Sequence, residues 1–302
     1  MYKKIILSQE FDDIRFDKWF KNNIIDIPQS LIEKIIRKKK IKINKKKAKS
    51  SYRLKRGDLI ELYDLDNLKD AIKKRKYSYI PIKKDIKNIN SLIVDKNDNF
   101  LVIDKPQDIP VQSGTKSSKN IIDILKNTNI ENKNIHIVHR LDKETTGVMI
   151  FAKNKKYAQL LTSLFRIKKI HKTYLAIVHG EFPEKIKTIN DNLIYYEKNK
   201  KIEQRAITNL KILKKSNNYS FLELNPITGR KHQLRKHLFN LGFPIYGDKK
   251  YNYNLKTNIK KKTNLLLHAY KLKFIIDGKK YTYKVKLSNH FQKFLDEKFR
   301  NP

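Results

Sequence analysis

Cysteine is absent from all 302 residues, which rules out disulfides and thiolate-bound metal. That suits a reducing compartment, and a cytoplasmic location is the expectation it sets. The 8 histidines show no His-Glu-x-x-His or similar ligand spacing, so no metal is expected. Long apolar runs are missing as well. The N-terminal Ile5-Ile6-Leu7 gives way to Asp12-Asp13, which reads as neither a signal peptide nor a membrane span. Negative charge is scarce: 30 Asp and Glu stand against 69 Lys and Arg, a formal net charge of +39. Such an excess fits a polyanionic partner, nucleic acid above all. Glycine is scarce too, at 8, in a chain crowded with Lys, Ile and Asn. A bias of that kind accompanies AT-rich coding, in which Arg drifts to Lys, and it accounts for part of the charge.

What the chain does have is organised around Val138-His139-Arg140-Leu141-Asp142-Lys143-Glu144-Thr145-Thr146-Gly147. Apolar, β-branched residues lead in (Ile135, Ile137, Val138) and out (Val148, Met149, Ile150, Phe151). The polar centre therefore sits at a turn between two strands, a rigid place to hold catalytic groups. Arg140 and Asp142 are two residues apart, which in an extended segment puts both on one face. Taken alone, the pair equally suits an aspartate that caps a turn, with Thr145, Thr146 and Gly147 as turn residues.

The longer string His-Arg-Leu-Asp-x-x-Thr-Thr-Gly resembles the signature of the RluA-type pseudouridine synthases, which isomerise uridine in RNA. Other stretches match in order. Asp104-Lys105-Pro106, with Val111 and Gly114, is similar to the family's first motif, which shapes one wall of the cleft; Lys-Pro after a strand is otherwise ordinary punctuation. Lys172-Thr173-Tyr174-Leu175-Ala176-Ile177-Val178-His179-Gly180 resembles its tyrosine motif, although a tyrosine packed on a sheet with a wet hydroxyl is common. Pro226-Ile227-Thr228-Gly229-Arg230-Lys231-His232-Gln233-Leu234-Arg235-Lys236-His237 resembles its third motif closely. There a turn feeds a helix with Leu234, Leu238 and Leu241 on its face, closed by Gly242. Leu267-His268-Ala269-Tyr270 looks like the last core strand, with His268 structural.

Ahead of these lies a smaller module, at about residues 11–64. Ile14 to Phe20 is helical, with Phe16, Trp19 and Phe20 on one face; Ser30-Leu31-Ile32-Glu33 reads as a capping box opening a second helix with Ile35 and Ile36. Ile41 and Ile43 mark a strand, and Tyr52-Arg53-Leu54 with Leu59 to Leu62 reads as a hairpin around Gly57-Asp58. This order resembles an S4 RNA-binding module, carried by Arg15, Asp17, Ile27-Pro28, Ser30, Arg37-Lys38, Asn44, Tyr52 and Gly57-Asp58. The family's usual glycine before the first strand is Lys39 or Lys40 here. Asn44 to Leu54 looks most like the RluC-like branch. A basic linker is expected over 65–92, with the charge run Lys73-Lys74-Arg75-Lys76, and a catalytic domain over 93–302. Within that domain 184–205 reads as a peripheral polar insertion, 155–167 as a core helix, 248–263 as a basic loop and Phe291 to Phe299 as a short helix.

The resemblance implies an α+β fold: a mixed, mainly antiparallel catalytic sheet beside a small N-terminal S4-like α/β module. It implies an RNA pseudouridine synthase, a monomer acting on large-subunit ribosomal RNA at the RluC-type sites and away from membranes. An isomerisation of this kind needs no cofactor or metal. Asp142 would be the essential carboxylate, either as nucleophile or as the base that opens a glycal intermediate. Arg235 would pair with it and hold it in place. Tyr174 would stack on the extruded base and is a candidate for the later proton transfer at C5. Arg140, Arg230 and His232, with Arg37 and Lys38 in the first module, would contact RNA. A ribosome-assembly factor with a vestigial site, and a transfer-RNA enzyme of the same family, are the competing readings.

Overall fold

The chain is described by a computed structural model over residues 2–64, 79–113, 119–128, 134–197, 200–253 and 263–299. It divides into two compact units, residues 1–77 and 78–302. The expected charge run at 73–76, Gly114 and most of the basic loop (254–262) lie outside the described residues.

The first unit contains β1 (Tyr2–Ile6), α1 (Phe16–Asn23), α2 (Gln29–Arg37), β2 (Ile41–Ile43), β3 (Lys46–Lys47) and β4 (Leu59–Tyr63). The strands form an antiparallel sheet in the order β1-β4-β2-β3. Phe16, Trp19 and Phe20 of α1 and Ile32, Ile35 and Ile36 of α2 recur at helical spacing, and they pack on Ile41 and Ile60 of the sheet. Arg37 and Lys38 end α2 exposed.

Three details differ from expectation. The helix starts at Gln29 with Pro28 at its N-cap, so position 30 lies inside the first turn rather than at the cap. Residues 52–54 do not pair with 59–62; Arg53 bridges Arg15, and β4 pairs instead with β1 and β2. Asp58 closes that turn through its side chain, accepting from Asn44 Nδ2 (2.7 Å) and the Lys55 amide (2.8 Å). Third, Lys39 stands where the S4 pattern has glycine and adopts a left-handed φ of 57°.

The second unit contains α3 (Lys83–Asn90), β5 (Ile93–Lys96), β6 (Phe100–Lys105), α4 (Ile121–Lys126), β7 (His136–Ile137), β8 (Thr146–Ala152), α5 (Lys155–Arg166) and β9 (His171–His179). It continues with β10 (Thr188–Glu197), β11 (Lys200–Ser216), β12 (Tyr219–Pro226), α6 (Gln233–Asn240), β13 (Leu267–Ile276), β14 (Lys279–Lys284) and α7 (Asn289–Lys298). One sheet runs β10-β11-β12-β9-β13-β8-β6-β5, with β14 on β13 and β7 on β8. Its pairings are antiparallel except for β13 with β8, where His268 faces Thr146 and Ala269 faces Gly147. The fold class is thus the mixed, mainly antiparallel α+β arrangement expected.

Alternation along β9 sends side chains to both sheet faces. Ala176 and Val178 pack with Leu234 and Leu238 of α6. Leu175 and Ile177 pack with Phe291 of α7 and with Phe299. Two segments depart from the sequence reading. Residues 83–90, expected within a linker, form α3, whose buried Asp85 accepts from Tyr79 Oη (2.6 Å) and the Ile82 amide (3.2 Å) and pairs with Lys119. Within 184–205, expected as a peripheral insertion, residues 188–197 form β10 and residues 200–205 the start of β11, so this stretch is part of the sheet and buries Ile189 and Leu193.

Candidate active site

The turn at 142–145 connects β7 to β8 and is closed by the Thr145 amide donating to the Asp142 carbonyl (3.2 Å). Three anchors hold it. Lys105, wholly buried at the end of β6, donates from Nζ to the carbonyls of Pro106 (2.8 Å), Lys143 (3.0 Å) and Thr145 (2.9 Å). Burial pulls its pKa down to about 8, against the opposing charges of Glu144, Asp108 and Asp142. His139 Nε2 accepts from the Ile150 amide (3.1 Å) while its ring stacks on Phe165 at 4.5 Å. Burial lowers the His139 pKa to about 3, so the ring is neutral and able to accept. On the third side, Thr146 Oγ1 meets His268 Nδ1 at 2.8 Å, the structural place expected for His268.

Gly147 has φ 112°, and a Cβ there would lie 2.2 Å from the Ala269 carbonyl oxygen. Only glycine lets β8 come this close to β13. Across the sheet, Ala269 faces Gly147 on one side and Tyr174 of β9 on the other. Tyr174 therefore stands two strands, about 10 Å, from the strand that carries Asp142 at its mouth.

Between them lies a cleft of about 550 Å³, lined by Arg140, Asp142, Lys172, Tyr174, Arg230, His232 and Arg235 among others. A volume of that order admits a nucleotide base and its sugar. The structure thus brings together Asp142, Tyr174, Arg235, Arg140, Arg230 and His232; Arg37 and Lys38 belong to the other unit.

Arg235 comes from the buried face of α6. Its Nη1 is 3.4 Å from Asp142 Oδ2 and 3.3 Å from Glu144 Oε2. Its best bonds go elsewhere, to Asp248, from Nε (2.7 Å) and Nη2 (2.8 Å). Asp248 is buried and also accepts from the amides of Lys250 and Tyr251, both at 2.9 Å. Burial works against the guanidinium, but Asp248, joined by the charges of Asp142 and Glu144, outweighs it and its pKa is raised. So Arg235 is locked by Asp248 and leans one nitrogen toward Asp142. The Tyr251 ring lies 5.3 Å from the guanidinium.

His232 holds a left-handed φ of 54° at the N-cap of α6. Its Nδ1 meets Tyr251 Oη at 2.9 Å and its Nε2 is 3.6 Å from Asp142 Oδ1. Burial lowers its pKa, opposed by the charge of Asp142. Gln233 fixes the preceding turn: its Oε1 accepts from Thr228 Oγ1 (2.7 Å) and the Arg230 amide (3.0 Å), and its Nε2 donates to the Ile207 carbonyl (3.0 Å). Arg230 and Arg140 are exposed at the rim. Burial, helped by the charge of Asp142, raises the Tyr174 phenol above its ordinary pKa and keeps it protonated.

Sequence reasoning missed Asp248, Tyr251 and the part played by Lys105. Gly247-Asp248 carried a signal: Gly247 has φ 76°, and a Cβ there would sit 2.0 Å from the Asn264 carbonyl, so the tight turn that delivers Asp248 requires glycine.

Comparison with known proteins identifies what the chain is similar to. A family model for RNA pseudouridylate synthase matches residues 99–240, and one for the S4 domain matches residues 25–60. The chain is 34% identical to the ribosomal large subunit pseudouridine synthase C of Buchnera aphidicola subsp. Acyrthosiphon pisum (strain APS), over 97% of this chain and 96% of that protein. It is 36% identical to the protein of the same name from Rickettsia felis (strain ATCC VR-1525 / URRWXCal2), over 78% and 81%. Among solved structures, human RNA Pseudouridylate Synthase Domain Containing 4 aligns with a TM-score of 0.60 and 29% identity, covering 70% of this chain and 94% of that one.

Proposed function

The chain belongs to the RNA pseudouridylate synthases, enzymes that isomerise uridine in RNA, and from that premise we propose that it acts on large-subunit ribosomal RNA with Asp142 as its catalytic carboxylate. The reading of the target is supported by the names of its full-length relatives and by the S4 module. The RluC-type uridines are the targets we assign. We read the protein as a cytoplasmic monomer, a location that suits a ribosomal RNA substrate; no helix among the described residues is long and apolar enough to cross a membrane.

One observation carries the assignment of the site. The Asp142 carboxylate faces a base-sized cleft from a turn anchored on three sides, beside a guanidinium that is itself locked by Asp248. The reaction breaks the N1–C1′ bond, turns the uracil and joins C5 to C1′. Uracil leaves as an anion, so a second carboxylate acting as acid is not required, unlike the pair in ordinary glycosidases. Asp142 serves either by attacking C1′ or by removing the C2′ proton to open a glycal. Extruding the target costs a few kcal/mol of lost stacking. Arg140 and Arg230 at the rim hold phosphates or the vacated space, and His232 supports the same edge. Tyr174 stacks on the base; a phenol held protonated is a poor base, so stacking is the role we assign it. Arg37 and Lys38 contact RNA from the first unit.

Mapping pseudouridine in large-subunit ribosomal RNA after incubation with wild type and with Asp142→Asn tests this. New pseudouridine that disappears in the variant is the expected result. A well-folded wild type that modifies no RNA would sink the proposal, and modification that survives in Asp142→Asn would remove the carboxylate from the mechanism.

A further inference from the structure

One half-buried cation in the cleft has no place in the scheme above. Lys172 lies on β9 two residues before Tyr174, so both side chains leave the strand on the same face, and both line the cleft. Its ammonium approaches the Thr228-Gly229 turn: a Cβ added to Gly229 would be 3.9 Å from Lys172 Nζ. Its charge is felt at His139, on the segment that carries Asp142. Among the described residues no acceptor or carboxylate pairs with it, and burial alone lowers its pKa. A largely buried cation without a partner is costly unless a ligand supplies the missing acceptor.

Which acceptor the cleft brings there follows from depth. Of the other cations lining it, Arg140, Arg166, Lys168 and Arg230 are exposed and within reach of backbone phosphates, while the buried Arg235 is already held by Asp248. Lys172 lies deeper than the exposed four and beside the tyrosine against which the extruded base lies. Building on the pseudouridine synthase reading of this cleft, we infer that the Lys172 ammonium is a catalytic contact to the departing base, donating a hydrogen bond to a carbonyl oxygen of the extruded uracil. When N1–C1′ breaks, the bonding pair stays with uracil and its charge spreads over O2 and O4. A fixed ammonium at one of those oxygens is worth most as that charge develops, because the low-polarity surroundings strengthen the contact. Lys172 itself transfers no proton; the C5 proton is lost to another base only after C5 has joined C1′, and N1 takes one up. Lys172 keeps its own while the uracil turns, and the same contact steadies the detached ring until C5 meets C1′.

The test is single-turnover kinetics at saturating RNA with Lys172→Met and Lys172→Gln, using substrates that carry uridine or 5-fluorouridine at the target position. Fluorine makes uracil a more stable anion and so reduces its need for the ammonium. With uridine, each variant is expected to lose about 100-fold in rate with RNA affinity little changed, and the loss should shrink to under about 10-fold with 5-fluorouridine. Removing an unpartnered buried charge should leave the melting temperature of Lys172→Met unchanged or raised. Weakened RNA binding with an unchanged saturated rate would overturn the inference in favour of a phosphate contact. An equal loss on both bases with a lowered melting temperature would overturn it in favour of a structural lysine. Either result, with wild type active and Asp142→Asn inactive, leaves the enzyme assignment standing; an inactive wild type removes both.

Discussion

Two parts of one cleft treat buried positive charge in opposite ways. Around the Asp142 turn, Lys105 directs its ammonium into three backbone carbonyls, and Arg235 is clamped by the Asp248 carboxylate. On β9, Lys172 has no described partner. The satisfied cations organise structure: they fix a turn and a guanidinium before any substrate arrives. The other is the group inferred above to contact the departing base, and the difference separates groups that build a site from one assigned to the substrate.

The comparison can be broken by removing the partners that make it. Asp248→Ala is expected to have the largest effect. It strips Arg235 of both good bonds, leaves a buried guanidinium uncompensated, and should cost about 3–5 kcal/mol of unfolding free energy, read by urea denaturation. A variant as stable as wild type would show that Asp142 and Glu144 suffice to hold Arg235. Lys105→Met should come next. It leaves carbonyls of the Asp142 turn without a donor, for a loss of about 2–3 kcal/mol by the same measurement, with activity falling further than stability explains. Wild-type activity in that variant would show that the turn holds its shape without the lysine.

The effect that is smallest at neutral pH concerns His139, and it grows only on acidification. Its folded pKa of about 3 lies below the ordinary histidine value, so between roughly pH 6.5 and 3 the unfolded chain takes up a proton that the folded chain refuses. Stability from this residue is therefore present above pH 6.5 and lost as pH falls toward 3. The slope is at most about 1.4 kcal/mol per pH unit. His139→Gln, which can still accept from the Ile150 amide, is expected to flatten the acid limb of the stability curve relative to wild type. Identical acid limbs would mean that His139 becomes protonated in place.

Much of this was legible in the sequence, and for identifiable reasons. The turn bearing Asp142 showed itself because apolar strands on either side frame a polar string, and α5 and α6 because their apolar residues keep helical spacing. β1 did not: Tyr2-Lys3-Lys4-Ile5-Ile6 is mostly exposed and is a strand only because β4 pairs with it. β10 was obscured by its lysine-rich surroundings, although Ile189, Leu193 and Tyr195 fall on one parity. In α3 the spacing of Ile82, Ile86 and Ile89 was present but short, and its folding leans on Asp85, Tyr79 and Lys119. Lys105 and Asp248 were hidden for a different reason. Their importance lies in which distant backbone or side chain they meet, and no local pattern encodes that. Arg235 shows the limit from the other side: its identity was legible, its principal partner was not.

The parallel pairing between β8 and β13 also governs when the site can form. Thr146 and its partner His268 are 122 residues apart, so the centre of the sheet depends on a contact of high sequence separation. As the chain is synthesised, the Asp142 turn and β8 emerge first and have no neighbour on that side until β13 follows. At ordinary elongation rates that interval is on the order of 10 s. For that time Gly147 faces no Ala269, and the 142–145 turn lacks one of its three anchors. The candidate site is therefore among the last parts of the second unit to become rigid, and a nascent chain carries the full string from His139 to Gly147 well before it carries the assembled cleft.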